Sequence, residues 1–500
     1  MSVRVRFAPS PTGYVHIGSL RTALYDYLLA KKTEGVYAIR VEDTDQNRLV
    51  TDAIDNLVSV MTRLGVLHDE GPFFDEAGKL YQKGMYGPYI QSERLSIYNE
   101  YIERLIQSGH AYYCFCSRER LEQVRDEQKR NGLTPKYDGL CRDIDLVEAK
   151  KRIANGETYV VRLKLPLNRD LTFTDHVRGN VTFNTQDLDD QVLIKQDGFP
   201  TYHFAVVVDD HLMKITHIIR GEEWVSSTPK HVYLYEAFGW KQPEYIHLPL
   251  ILNEEKKKLS KRHDSAAVED FLNAGFLPEA LINFVALLGW SPEDGAEIMS
   301  LQEIIERFSL DRLSKSGAVF DKQKLRWMNG QYIRSYDLDQ LVQLAVPFMA
   351  DAGAISLTAQ DLLDNPEALA WTTLVVKALR ERVDTLKDFG DLALAFLADK
   401  AEPEDDEVAA LLKEAHVPTV LEAFKAQLNQ LDAVTFDNCK APFKAVQTET
   451  GFKGKHLFMT VRAAISGQQH GIDLNDLLVI LGKERIMARL DYALSHLIAN

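Results

Sequence analysis

The chain has 500 residues, 45% hydrophobic and 26% charged, with 4 cysteines and a net charge of −15. Such a length predicts roughly two to four globular domains, and the cysteines are too few for a disulfide scaffold. No run of about 18 apolar residues and no signal-like start argue against a membrane span or secretion, so a cytoplasmic protein is expected. The acidic balance alone argues against nucleic-acid binding, but charge acts over a Debye length of only about 8 Å, so a local basic strip stays open.

Val3, Val5 and Phe7 alternate with Arg4 and Arg6, the period of a short strand. The Pro-Gly loop APSPTGYVHIGS, residues 8–19, follows, and Leu20, Ala23, Leu24, Tyr27 and Leu28 then recur at helical spacing. A second apolar run, 36–41, ends in Glu42-Asp43-Thr44-Asp45 and completes a βαβ unit. Ligands of such sheets gather outside the carboxyl ends of the strands, where the loop and Glu42 both fall. His16-Ile17-Gly18 sits where the helix begins, and free N–H groups with a positive dipole end favour phosphate there. A turn with a satisfied histidine is the plainer reading of a lone His-x-Gly; the flanking Pro-Ser-Pro-Thr-Gly weakens it.

Ile54, Leu57, Val58, Met61 and Leu64 predict a helix over 51–64. The Gly-containing stretch 69–87 reads as a long loop, and Gln91-Ser92-Glu93-Arg94 opens a helix with Ser92 as its cap. Cys114, Cys116 and Cys141 follow. Residues 158–165 alternate as a strand, 173–183 suggest a hairpin, and 215–219 read as a buried parallel strand ending at Arg220. Ser227-Thr228-Pro229 starts a helix. An apolar run at 248–252 leads into NEEKKKLSKR, residues 253–262. A charge run is ordinarily a solvated loop, but this one follows a strand in a chain that already has a phosphate-like loop. Residues 268–289 are helical in pattern. Beyond Arg334 strand-like runs nearly vanish; Leu338, Leu341, Val342, Ala345 and Phe348 give one amphipathic helix, and Ile486, Leu490, Ala493, Leu494 and Leu497 the last. A domain boundary is therefore expected near residue 335.

HIGS and KLSKR resemble the two signatures of class I aminoacyl-tRNA synthetases. RFAPSPTGYVHIGSLRTALYDYLLA, RVEDTDQNR, YGPYIQSER, IIRGEEW and KLSKRHDS together resemble the bacterial glutamyl-tRNA synthetases over essentially the whole chain. The resemblance implies an α/β Rossmann-type class I catalytic domain over 1–335. It carries an inserted acceptor-binding subdomain near 95–205 and a stem-contact region near 255–335. An all-α anticodon-binding half follows over 336–500, where GFKGKHLFM, Arg462 and Gln469-His470-Gly471 match the family signature, although Ile472 stands where proline is usual. The implied activity is ATP-dependent attachment of L-glutamate to tRNA-Glu through a glutamyl adenylate, with Mg2+, in a monomer.

By resemblance, Pro11, Thr12, Gly13, His16, Gly18, Ser19, Lys261 and Arg262 bind ATP, and His16, Lys258, Ser260 and Lys261 offset the charge that builds on the phosphates. Arg6 and Arg220 hold the substrate's side-chain carboxylate, which arginine's planar fork suits, with help from Tyr202; Ser10 and Glu42 face its α-amino end. The plainer alternative is an internal ion pair of Arg6 with Glu42. Asp45 and Arg48 border the tRNA acceptor arm, or else form a surface salt bridge; Lys453, Lys455 and Arg462 face tRNA phosphates, or else lie on a solvated helix start. Cys114, Cys116 and Cys141 have the family's zinc spacing, with Tyr137 or Asp143 as the fourth ligand; three free thiols are the alternative. Cys439 reads as a core residue, and 73–85 as a small insertion. Other readings compatible with the motifs are a form that also charges tRNA-Gln, a glutaminyl enzyme, which usually ends in β-barrels, and a non-catalytic tRNA-binding relative, which would be free to lose His16 or Lys261. A shortened relative without the anticodon half is too small to fit. Lys261→Ala is expected to slow adenylate formation, measured as tRNA-dependent pyrophosphate exchange, by about tenfold or more; an unchanged exchange rate would remove Lys261 from the chemistry.

Overall fold

The computed structural model describes residues 2–259, 267–356 and 359–498. The chain forms two compact units, Met1–Leu272 with Pro278–Lys322, and Asn273–Leu277 with Gln323–Asn500.

In the first unit, strand Arg4–Phe7 pairs in parallel with Val36–Ile39, with Phe7 opposite Ile39. Helix Ile17–Lys32 connects them, with Lys31 and Lys32 in its last turn, where cations complement the dipole. Strand His217–Gly221 runs parallel to Glu244–Leu248, and the Thr216 amide donates to the Arg4 carbonyl at 2.9 Å, joining the two ladders. The third strand lies two residues later than the apolar pattern predicts, because the first residues of that pattern close helix Tyr202–Leu212. All of Arg4–Phe7 is buried, its two arginines included. A parallel sheet is covered on both sides, so Arg4 is paired instead with Glu70 at 2.7 Å and Arg6 with Asp210 at 2.9 Å.

The insertion contains an antiparallel sheet of Ala111–Cys114, Val160–Leu163 and Val192–Ile194. Its core packs Tyr98, Leu105, Val161 and Leu193 with Phe204 and Val207. The expected hairpin is present as Asp170–Asp175 with Gly179–Asn184.

Several local expectations need correction. The stretch read as a loop holds a hairpin, Gly71–Phe74 with Leu80–Lys83. Asp75 Oδ1 accepts from the Ala77 and Lys79 amides to make its turn, and Phe73 stacks on Tyr81 and His68. Ser92 does not cap a helix: it lies in a 3-10 turn, Gln91–Arg94, its amide donates to Asp43 Oδ1, and the helix proper is Leu95–Gln107. The helical stretch after 268 is split into Val268–Asn273 and Pro278–Ala286.

Among its described residues the second unit has helices and no strand. Helix Leu338–Asp351 is capped by Asp337, whose side chain accepts from the Asp339 and Gln340 amides. Helix Leu474–Tyr492 is broken at Gly482, where φ is +67°, a conformation that favours glycine. Among the described residues no helix is long and apolar enough to cross a membrane.

Behind the sheet lies a buried ion network. Arg40 is fully buried; its Nη1 donates to Asp210 Oδ1 at 2.7 Å and its Nη2 to Glu42 Oε1 at 2.9 Å. Arg6 Nε donates to the same Asp210 oxygen. Asp209 accepts from Arg94 Nε, Tyr98 Oη and Gln91 Nε2 at 2.7–2.9 Å. Arg40→Met removes the cation that Asp210 and Glu42 share. It is expected to destabilise the protein by about 3–5 kcal/mol in urea denaturation, since a buried charge without its partner is costly; a loss below about 1 kcal/mol would show that these carboxylates are satisfied without it.

Candidate active site

A cleft of about 1110 Å³ opens at the carboxyl ends of the parallel strands. It takes residues from the loop after the first strand, from Glu42 after the second and from Arg220 at the end of the third.

The Pro-Gly loop is held by its backbone. The Thr12 amide donates to the Ser10 carbonyl at 2.8 Å, the Glu42 amide to the Pro9 carbonyl at 2.9 Å, and the Val50 amide to the Pro11 carbonyl at 2.9 Å. His16 is extended (φ −113°, ψ 164°) and caps the helix: its Nδ1 accepts from the Ser19 amide at 3.3 Å, and its Nε2 lies 3.0 Å from Ser19 Oγ. A Cβ at position 18 would stand 3.1 Å from the imidazole, so Gly18 leaves room for the ring to lie over the helix start. Ser10, Pro11, Thr12, Gly13, His16, Gly18 and Ser19 all line the cleft. Lys258 lines it too, in a turn closed by the Asn253 amide on the Lys257 carbonyl and the Leu259 amide on the Ile251 carbonyl. Ser260, Lys261 and Arg262 lie outside the described residues.

Arg6, Glu42, Tyr202 and Arg220 meet in the same cleft. The internal pair of Arg6 with Glu42 is not what forms: Arg6 bonds Asp210, and Glu42 bonds Arg40. Burial pushes the Glu42 carboxyl up to about 7, against the pull of Arg40. Arg220 differs from Arg6 and Arg40, which bond carboxylates. Its Nε donates to His247 Nε2 at 3.0 Å and its Nη2 to Thr228 Oγ1 at 2.7 Å; its Nη1 lies 3.2 Å from Tyr202 Oη and 3.3 Å from His231 Nδ1. Burial holds both His231 and His247 below their ordinary range. Among the described residues the guanidinium thus bonds only uncharged groups, and the cleft offers a buried positive charge to an anion.

Sequence reasoning missed Arg40, Asp210, Thr228, His231 and His247. Arg40 was inside the RVEDTD string, two residues before Glu42 and hence on the same face of a strand. A lone histidine in an apolar strand, as His247 is, gives no signal. Lys195 was also missed; it lines the cleft, with Nζ on the Thr44 carbonyl at 3.0 Å.

Asp45 and Arg48 are exposed at the cleft edge, 3.9 Å apart, and two exposed charges at that distance attract weakly. Lys453 and Lys455 are exposed at the start of helix Lys455–Ser466. Arg462 is half-buried and donates to the Ile472 carbonyl at 2.9 Å, so part of its fork is used to hold the following loop.

In the insertion, the Cys114, Cys116 and Cys141 sulfurs lie within 4.8 Å of one another. Tyr137 Oη sits 3.4 Å from Cys114 Sγ and 3.5 Å from Cys116 Sγ, and accepts from the Cys141 amide at 2.8 Å. Hydrogen bonds from Cys141 and Tyr137, opposed by burial, hold the Cys114 thiol down at about 4. Asp143 points away: its side chain is 90% exposed and pairs with Lys164. Three thiols and a phenol form a donor set suited to a tetrahedral ion, and Asp143 is not part of it.

Residues 2–327 match the family model described as the catalytic domain of class I tRNA synthetases (E and Q), and residues 340–494 match an anticodon binding domain. The chain is 54% identical over 497 residues to the glutamate–tRNA ligase of Alkaliphilus metalliredigens, covering 99% of this chain and 100% of that one. It is 53% identical over 498 residues to that of Clostridioides difficile, covering 100% of each. Among solved structures it resembles a glutamate tRNA ligase from Elizabethkingia meningosepticum in complex with its amino acid, with a TM-score of 0.85, 35% identity, and 99% and 100% of the two chains covered.

Proposed function

The chain belongs to the class I tRNA synthetases of the E and Q branch, and we propose that it attaches L-glutamate to tRNA-Glu at the expense of ATP. The observation that carries this reading is Arg220, a buried guanidinium in the cleft that, among the described residues, bonds only uncharged groups. A carboxylate side chain complements it; a carboxamide does not.

In the first step the glutamate α-carboxylate attacks the ATP α-phosphate and pyrophosphate leaves. The Pro-Gly loop and the helix start at Ile17 seat the nucleotide, and His16 donates to a phosphate oxygen. Lys258 and Lys261 offset the charge developing on the leaving group. Mg2+, when bound, would supply further positive charge beside the phosphates. Arg220 and Tyr202 hold the substrate side chain, Arg6 flanks them, and Ser10 and Glu42 face the ammonium. In the second step a terminal ribose hydroxyl of the tRNA attacks the adenylate and AMP leaves. Positioning and electrostatics suffice, so the chain needs no nucleophile of its own. Asp45 and Arg48 border the acceptor arm, and Lys453, Lys455 and Arg462 contribute to the anticodon-side surface. Residues 1–335 act as the catalytic part and 336–500 as the anticodon-binding part, in a monomer in the cytoplasm. Zn2+ would be held by Cys114, Cys116, Cys141 and Tyr137, tying the insertion together.

Transfer of labelled glutamate to tRNA-Glu and tRNA-Gln, assayed side by side with ATP and Mg2+, tests the assignment. Charging of tRNA-Glu is the expected result; charging of tRNA-Gln as well would mark a relaxed anticodon site. No charging of either by folded protein would overturn it. Glu42 sets a pH dependence. Protonated below about 7, it no longer attracts the substrate ammonium, so the KM for glutamate is expected to fall as pH rises from about 6 to about 8 while the KM for ATP holds; a flat KM would contradict this. Elemental analysis is expected to find about one zinc per chain, lost in Cys141→Ser, weakened in Tyr137→Phe and retained in Asp143→Asn. Zinc-free folded protein would show that the thiols are free.

A further inference from the structure

Arg220 is held by a chain of groups whose protonation is set from behind. Asp175 lies at the turn of the hairpin Asp170–Asp175 with Gly179–Asn184. Its Oδ1 accepts from the Val177 and Arg178 amides at 2.9 Å, and its Oδ2 from the His247 amide at 3.0 Å and lies 2.7 Å from His247 Nδ1. Asp175 and the His247 ring are both fully buried. Asp175 stays below the usual carboxylate range because the His247 and backbone bonds outweigh burial. A carboxylate can only accept, so His247 Nδ1 carries the proton and donates it. His247 Nε2 is then a bare lone pair, and it receives Arg220 Nε–H at 3.0 Å.

The second histidine pair repeats this logic. His231 Nδ1 faces Arg220 Nη1 at 3.3 Å, and its Nε2 lies 2.9 Å from His203 Nδ1. Arg220 has only protons to offer, so His231 Nδ1 accepts and its Nε2–H is donated to His203. Burial pushes both rings down, His203 to about 3.

The hydrogens of Arg220 can then be counted. A guanidinium has five N–H bonds. One goes to His247, one to Thr228, one to Tyr202 and one to His231. One Nη2–H remains, and beside it the Tyr202 hydroxyl, which accepts from Arg220 and keeps its own proton to give. Both residues line the cleft, so together they offer it a two-donor fork. On the reading that the substrate is glutamate, we propose that Asp175–His247 and His203–His231 are positioning pairs that aim this fork while leaving its charge unspent, and so set the preference for a carboxylate over a carboxamide side chain. A carboxylate in place of either imidazole would hold the guanidinium as well and neutralise it.

Two variants test this in the full-length protein, with tRNA-Glu, ATP and Mg2+. Asp175→Asn keeps the volume but can donate to His247 Nδ1, which favours the tautomer with a proton on Nε2, facing Arg220 Nε–H. The expected result is a rise of about tenfold or more in the KM for glutamate, an ATP KM and kcat within about threefold, and a fall in the glutamate-over-glutamine ratio of kcat/KM. Thr228→Asp places a carboxylate against Nη2 and is expected to lower the same ratio further, by spending the charge. Asp175→Glu, which keeps an acceptor-only carboxylate, is expected to restore the ratio in part. A general loss of packing would lower kcat and melting temperature without moving the ratio. A folded Asp175→Asn protein with unchanged glutamate KM and ratio would overturn the proposal. Wild-type protein that fails to charge glutamate would instead overturn the functional reading on which it rests.

Discussion

The site depends on how charge is distributed among its buried arginines. Arg6 and Arg40 share Asp210, and Arg40 also holds Glu42. Arg94 is matched by Asp209. Asp26, buried near Arg6, has its carboxyl pushed well above the usual range by burial. With Glu42 ionised, this part of the interior is balanced. Arg220 bonds only hydroxyls and imidazoles among the described residues, and the His247 ring separates it from the buried Asp175 carboxylate. A buried cation of this kind is tolerated when the site is built for an anion.

The same network explains the strand geometry. Arg4 and Arg6 alternate with apolar residues, yet they are buried: Glu70 and the Tyr86 ring meet Arg4, and helix Tyr202–Leu212 brings Asp210 against Arg6. Asp209 and Asp210 are adjacent in sequence and divide the hydrogen bonds: one ties down Arg94, Tyr98 and Gln91, the other Arg6 and Arg40, while Arg40 Nε also lies 3.8 Å from Asp209 Oδ2. Two consecutive carboxylates at the end of an apolar helix thus lock the substrate side of the sheet to the element that carries Tyr202.

The sequence was most legible where a ligand dictates the chemistry. The Pro-Gly loop, Glu42 and Arg220 read correctly as strand-end residues because βαβ geometry fixes where such ends lie. The switch to helices beyond Arg334 was also visible, as periodicity. What was hidden depended on contacts distant in sequence. Asp210 lies 204 residues from Arg6 and Asp175 lies 72 from His247, and neither distance leaves a local mark. The hairpin at Gly71–Phe74 was missed because its pairing rests on a single aromatic stack and an aspartate turn instead of alternation. Asp143 fitted the spacing of a metal ligand as well as Tyr137 did; only the fold turns one toward the thiols and the other toward solvent.

The most direct test of this account is a crystal structure of the protein with L-glutamate and a non-hydrolysable ATP analogue. The account predicts the substrate's side-chain carboxylate on Arg220 Nη2 and the Tyr202 hydroxyl, with its ammonium toward Glu42. A side-chain carboxylate bound instead at Lys195, with Arg220 bonded to protein groups alone, would contradict it.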